Sequence, residues 1–243
     1  MVSIDEIRAE ALGCTRCRLA EGRTNVVWAA GNLDSDLLFI GEGPGHHEDQ
    51  QGVPFVGAAG QLLDKLLAEI GLDRSTAAIV NVVKCRPPGN RDPLPDEIEA
   101  CRPYLEAQLA HMRPDVIVTL GNFATRFILE EKIGITKARG HIYERLGAAV
   151  IPTFHPAAAL RGGRFGGISP TDAIRQDLRR ARAALDARRG ARVRGATTEA
   201  PPSPAPSRGS SAMPSPPANA PAAAVGAPSS PESEPPGEQL GLF

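Results

Sequence analysis

Leu37 to Phe55 reads LLFIGEGPGHHEDQQGVPF. Its first four residues, Leu37-Leu38-Phe39-Ile40, are an unbroken apolar run, the pattern of a strand covered on both faces. Gly41-Glu42-Gly43-Pro44-Gly45 then forces a tight loop, because three glycines and a proline suit neither a strand nor a helix interior. His46-His47-Glu48-Asp49 follow, then Phe55, then Gly57 to Gly60 and a helix from Gln61. In an open α/β sheet, ligands bind where loops leave the carboxyl ends of strands. The loop is therefore expected to form one wall of a site: its glycines let backbone amides approach a flat ligand, and its acids can serve as base or orienter. A turn that binds phosphate or only reverses the chain is the plainer alternative. The pattern is neither G-x-G-x-x-G nor a P-loop, since no Lys-Ser/Thr follows.

Outward from this stretch, strands and helices alternate. Residues 61–70 (QLLDKLLAEI) carry apolar side chains at helical spacing, and Gly71 suits the C-cap. AIVNVV, residues 78–83, is a second buried strand interrupted by Asn81, whose amide needs either a structural hydrogen bond or a ligand. Lys84 to Pro93 is a proline- and glycine-rich loop bearing cations, and a helix opens at Pro95 and passes Cys101. Residues 116–120 are a third buried strand and 122–129 a helix. Residues 141–144 and 149–154 read as strands, the second running into Phe154-His155-Pro156, and 170–188 as an arginine-rich last helix. At the amino end, 1–20 reads as a helix reaching Cys14 and Cys17, and 26–29 as a strand. This alternation predicts an α/β fold with a mostly parallel sheet and helices on both faces.

The chain has 243 residues, 42% hydrophobic, with a formal net charge of −1. It contains no apolar run near the membrane-spanning length and its start lacks a signal-peptide core, so a cytoplasmic protein without a membrane span is expected. Near-neutral charge gives no basic signature for nucleic acid, although local patches can hide in a neutral total. Residues 1–190 read as one domain. Residues 191–243 hold 12 of the 23 prolines and few large apolar side chains. Residues 191–237 are therefore expected to be a disordered tail. The apolar tip of the closing segment, 238–243 (EQLGLF), suits a short docking motif.

The four cysteines are Cys14, Cys17, Cys85 and Cys101. In a reducing compartment a metal site is a better reading than disulfides. Zinc and a [4Fe–4S] cluster are both satisfied by four thiolates, and one C-x2-C plus two scattered cysteines suits a cluster slightly better than a zinc ribbon.

Together, Cys14-x2-Cys17, GEGPGHHED (41–49), Gly52-x-Pro54-Phe55-Val56-Gly57, Asn81-Val-Val-Lys-Cys85-Arg-Pro-Pro-Gly-Asn, Cys101 and Phe154-His155-Pro156 resemble the type 4, iron–sulfur uracil-DNA glycosylases. The resemblance spans roughly residues 1–188. It implies the three-layer uracil-glycosylase sandwich, a [4Fe–4S] cluster on all four cysteines, and release of uracil from DNA by a monofunctional enzyme that starts base excision repair. By that resemblance Phe55 stacks on uracil, Asn81 reads its O4/N3 edge, backbone amides of the Gly41-Glu42-Gly43 turn hold the other edge, and Glu48 excludes the thymine methyl. His155 donates to uracil O2 as negative charge develops there. Glu42 is assigned to the water, with Glu48 and Asp49 as alternatives. Leu160 is expected to fill the gap left by the flipped base, and Arg86, Arg91, Arg161 and Arg164 to contact phosphates. His46 and His47 stand where the family often has acids and receive no role. A related group uses a histidine in a KRRIH-type insertion to bind uracil covalently; CRPPGNRDPLPD (85–96) lacks it, so turnover is implied. Gln239-Leu240-Gly241-Leu242-Phe243 resembles the QLxLF peptide that docks bacterial repair proteins on the sliding clamp, through Gln239, Leu240, Leu242 and Phe243. A monomer is expected. The competing readings are a broader deaminated-base glycosylase and a non-catalytic, cluster-containing DNA-binding module.

Overall fold

The computed structural model describes residues 2–198. Its centre is a six-stranded sheet built from β1 (Ala30–Gly31), β2 (Leu37–Gly41), β3 (Ala78–Asn81), β4 (Val116–Leu120), β5 (Tyr143–Arg145) and β6 (Ala148–Thr153), in the order β1-β3-β2-β4-β6-β5. The four inner strands are parallel, and β1 and β5 pair antiparallel at the two edges. β2 thus lies between β3 and β4, buried at every residue.

The alternation of side chains along β2 explains its unbroken apolar run. Leu37 and Phe39 face one core, with Leu63, Leu66 and Leu67 of α4 (Ala58–Ala68) and Ile174 and Leu178 of α9 (Pro170–Thr198). Leu38 and Ile40 face the other, with Tyr104 and Leu105 of α5 (Pro95–Met112) and Ile128 of α6 (Asn122–Leu129). With about 1.5–3 kcal/mol from each large side chain fully buried, both faces are needed, and the result is the three-layer α/β sandwich. α1 (Ile4–Leu12) packs on α5. It starts at a capping box, in which the Ser3 hydroxyl accepts from the Glu6 amide at 3.2 Å and the Ser3 amide donates to the Glu6 carboxylate at 2.6 Å.

Several local expectations change. The helix read over 1–20 is two pieces, α1 and α2 (Leu19–Gly22), and Cys14 and Cys17 sit in the break after Gly13. Residues 26–29 lie outside the ladder, and the edge strand is Ala30–Gly31. The 46–51 segment, read as loop, is a short helix, α3 (His46–Gln51). Two further short helices are α7 (Ile135–Ala138) and α8 (Pro156–Leu160).

α9 continues to Thr198, ten residues past the end expected at 188. Gly190 lowers helix propensity by only about 1 kcal/mol relative to alanine. The added turns are pinned to the sandwich, because Arg189 and Arg192 both pair with Asp36, at 3.0 and 2.8 Å, and Arg192 also reaches Asp115. The tail expected from 191 is therefore helical as far as 198. Its remainder, and the segment 238–243, lie outside the described residues. No helix among the described residues is long and apolar enough to cross a membrane.

Candidate active site

The carboxyl ends of β2, β3 and β6 open into one cavity of about 380 Å³. Its lining includes Glu42, Gly43, Glu48, Phe55, Asn81 and His155. Asn81 is the last residue of β3, only 1% exposed, and neither Oδ1 nor Nδ2 has a hydrogen-bond partner. An unpartnered buried amide costs about 1–3 kcal/mol for each polar group. It persists where a ligand completes it, which favours the ligand-facing alternative for this residue.

Phe55 is 5% exposed and holds a left-handed backbone conformation, φ +56°, a strain of the kind that collects at binding sites. Its ring lies 5.6 Å from that of His155, at an interplanar angle of 31°. Gly41 lies behind this group rather than on the cavity wall. A Cβ there would come within 2.4 Å of Asn81 Oδ1 and 2.6 Å of the Phe55 ring. Glycine is therefore what lets the base-reading amide and the aromatic plate converge on the end of β2.

His155 follows Phe154 after the end of β6. The strand end is fixed by the fully buried Asp177 of α9, which accepts from the Thr153 hydroxyl at 2.9 Å and from Arg139 Nε at 3.0 Å. Nδ1 of His155 accepts from the Ala157 amide at 3.2 Å. That bond leaves the proton on Nε2, the ring's other edge. Burial, helped by the Arg161 charge, pushes the pKa of His155 down to about 4, so at neutral pH the ring is an uncharged donor. The Glu42 carboxylate makes no hydrogen bond among the described residues, while its carbonyl accepts from the Val83 amide at 3.0 Å. Burial and the nearby Asp92 carboxylate push its pKa up to about 7, against the opposing pull of Arg161.

α3 separates the two other acids. Glu48 accepts from the Gly57 amide at 2.7 Å and stays on the cavity wall. Asp49 is buried and accepts from the amides of Thr24 and Asn25 at 2.8 and 3.3 Å, so it braces the amino-terminal segment instead. Of the cations, Arg91 lines the cavity but forks onto the buried Glu97 at 2.8 and 2.6 Å. Arg86 contacts Asn90 at 2.7 Å and His46 Nδ1 at 3.1 Å, which gives His46 a place at the rim. The guanidinium groups of Arg161 and Arg164 make no hydrogen bond or ion pair among the described residues, and Leu160 ends α8 at 53% exposure. Asp92 went unrecognised in the sequence, because nothing local shows that the 86–93 loop folds back over Glu42.

Cys14, Cys17, Cys85 and Cys101 line a second cavity. Burial pushes Cys85 up to about 11 and also raises Cys17 and Cys101, so four neighbouring thiolates need the positive charge of a metal centre. Three N–H groups already point at sulfur: Lys84 N to Cys101 at 3.2 Å, Arg23 Nη1 to Cys85 at 3.4 Å and Arg16 N to Cys14 at 3.5 Å. Among the described residues no three His, Cys, Asp or Glu side chains close on a site for one ion. This donor set fits a multi-atom thiolate-bound group better than the zinc alternative.

Lys84 joins the two cavities. Its side chain is fully buried, and Nζ donates to Asn81 O at 2.7 Å and to Gln108 Oε1 at 2.5 Å, with no carboxylate partner among the described residues. Burial lowers its pKa to about 8, and the Cys101 and Cys85 charges oppose that fall. Lys84→Met should leave two buried acceptors unmet, at a cost of about 1–3 kcal/mol each. Urea denaturation at pH 7 measures this, and wild-type stability in the variant would rule out that role.

The profile of the Uracil DNA glycosylase superfamily matches residues 28–179. The chain belongs to this family. It is 47% identical over 169 residues to the type-4 uracil-DNA glycosylase of Sulfurisphaera tokodaii, covering 66% of this chain and 77% of that one. It is 48% identical over 168 residues to the enzyme of the same name from Archaeoglobus fulgidus, covering 66% and 84%. With that from Thermotoga maritima it shares 53% identity over 150 residues, 61% of this chain and 78% of the other. The matched span of the uracil-DNA glycosylase profile contains the β2 loop, Asn81 and His155, the three places at which the sheet edge opens.

Proposed function

We propose that this chain is a monofunctional uracil-DNA glycosylase of the type-4 class, which flips uracil out of DNA and hydrolyses its N-glycosidic bond. The observation that carries the reading is the orphaned amide of Asn81, buried at the strand end beside Phe55 and His155. A flipped uracil stacks on Phe55. Asn81 donates to O4 and accepts from N3–H, and the backbone at Glu42 and Gly43 holds the other edge, with Gly41 behind them making room. Glu48, anchored by the Gly57 amide, stands where it excludes a C5 methyl.

As the C1′–N1 bond breaks, negative charge gathers on uracil O2 and positive charge on the sugar. His155 donates from Nε2 to that oxygen, an interaction that strengthens toward the transition state. Glu42, as carboxylate, orients the attacking water and faces the cationic sugar. No lysine lines the cavity, which fits hydrolysis without a Schiff-base step. Arg86, Arg161 and Arg164 contact phosphates, and Leu160 fills the vacated stack. Arg91 supports the cavity wall through Glu97 and contributes less to phosphate binding.

Cys14, Cys17, Cys85 and Cys101 hold a [4Fe–4S] cluster, whose contribution when bound is to tie the amino-terminal segment and the 85–101 region to the sheet. Iron and acid-labile sulfide in the purified protein test this; zinc in their place would overturn it. The tail beyond 198 acts as a tether and its last residues dock on a sliding clamp. Deleting 239–243 should abolish clamp association in pull-down while leaving activity on short oligonucleotides intact; loss of both, or of neither, contradicts the motif. The enzymatic reading itself is tested by alkali-revealed cleavage of a duplex with one uracil. Abasic sites are expected, and none from a cluster-loaded protein would point to the non-catalytic module.

A further inference from the structure

Phe165 is 43% exposed, and among the described residues it is the one Phe, Tyr or Trp in the exposed class. It lies in the run Arg161-Gly162-Gly163-Arg164-Phe165-Gly166-Gly167. The Phe165 amide donates to Ile168 O at 2.9 Å, and the Ile168 amide donates to Phe165 O at 3.3 Å. The chain reverses between them over Gly166 and Gly167, with φ +60° and +83°. Two positive values in a two-residue turn match a type I′ hairpin, a conformation that a side chain at either position would strain.

This small hairpin sets the Phe165 ring against Phe154, with centroids 5.0 Å apart. Phe154 is buried and directly precedes His155, whose ring neighbours Phe55. Two ring pairs thus meet at one point of the chain, Phe165 with Phe154 and, one residue on, His155 with Phe55 in the base cavity. Phe165 follows in sequence two arginines whose guanidinium groups have no hydrogen-bond or ion-pair partner among the described residues, although the charge of Arg161 is felt by Glu42 and His155. Arg161 lines the cavity, and Arg164 directly precedes Phe165. The α9 arginines Arg175, Arg182 and Arg188, by contrast, are paired with Glu69, Asp186 and Glu144. An exposed ring beside uncommitted guanidinium groups is the makeup of a single-strand nucleic-acid contact, with a base on the ring and phosphates on the cations.

We propose that Phe165 is a second stacking platform, taking the base next to the flipped nucleotide on the same strand, while Arg161 and Arg164 bind the phosphates around it. The strand that delivers a nucleotide into the cavity must leave past Arg161, so its next base meets the ring beyond. The inference rests on the glycosylase reading and adds a base contact separate from Phe55 and Leu160.

The test uses the full-length protein and single-stranded oligonucleotides carrying one uracil. The base on its 5′ side, its 3′ side or neither is replaced by an abasic analogue. Phe165→Ala should raise KM on the intact strand about 10-fold, the size of one base–aromatic stack, with kcat unchanged. Removing one of the two flanking bases should raise the wild-type KM by a similar factor and leave the variant unaffected. Phe165→Trp should restore the wild-type value. Wild-type KM in the alanine variant overturns the proposal, as do losses that simply multiply when variant and base removal are combined. The same comparison by fluorescence anisotropy reads the contact without turnover. A wild type that shows this coupling in binding but releases no uracil would sink the glycosylase reading alone.

Discussion

Asn81→Asp is expected to abolish the enzyme's preference for uracil over cytosine. Asn81 brings one donor and one acceptor to the cavity, both buried and both unpartnered in the protein. Uracil offers O4 to the donor and N3–H to the acceptor. Cytosine offers an amino donor and a bare N3, the opposite polarity, so its entry would leave both groups of the amide unmet. A site built to hydrogen-bond its substrate rejects an analogue that cannot reciprocate by a factor of order 10⁴. An ionised aspartate presents acceptors only. It repels O4 and accepts from the cytosine amino group, so uracil release should fall by several orders of magnitude while cytosine release becomes detectable. The comparison is alkali-revealed cleavage of matched duplexes with a single uracil or a single unpaired cytosine. Wild-type uracil release by the variant would remove Asn81 from the base-reading role.

Glu42→Gln should lower kcat by about 10²–10⁴, the usual contribution of a positioned base, with a smaller change in KM. The pH profile gives a finer check. Burial and the Asp92 carboxylate hold the Glu42 pKa up to about 7. The water-orienting form is the carboxylate, so kcat/KM should rise with pH through about 7 and level off above it. His155, with its pKa pushed down to about 4, stays neutral across that window and adds no second limb. Asp92→Asn removes the like charge, and the limb should move to lower pH, although burial keeps it above the ordinary glutamate value of 4.5. A profile flat from about pH 5.5 to 8.5, or one that Asp92→Asn leaves in place, would contradict the assignment of the water to Glu42.

Much of this site is written in short stretches of chain. The run at 37–40 and the glycines that follow it specify a buried strand ending in a loop. Asn81 stands out as a polar interruption of AIVNVV, and Phe154-His155-Pro156 marks the end of another strand. Where local pattern misled, a distant partner decided. The helical turn at 46–51 exists within a glycine-rich segment, and its Asp49 is captured by amides of Thr24 and Asn25. Arg91 looked like a free cation in a basic loop, but it pairs with Glu97 once α5 turns that carboxylate inward. α9 passes Gly190 because Asp36 and Asp115 hold its arginines.

By itself, the sequence determined the α/β class, the strand-end placement of Glu42 and His155, and the grouping of four cysteines, since each follows from residue type and spacing along the chain; the strand read over 78–83 ends at Asn81 only in the folded structure. Only the tertiary structure decided which acid faces the cavity, that Asp92 raises the pKa of Glu42, and that Lys84 ties the carbonyl of Asn81 to the thiol site. It also decided that Phe165 is left 43% exposed while the guanidinium groups of Arg161 and Arg164 make no ion pair among the described residues. These depend on how segments dozens of residues apart meet across the parallel sheet, and burial, electrostatic coupling and hydrogen-bond partners are properties of that meeting rather than of any one segment.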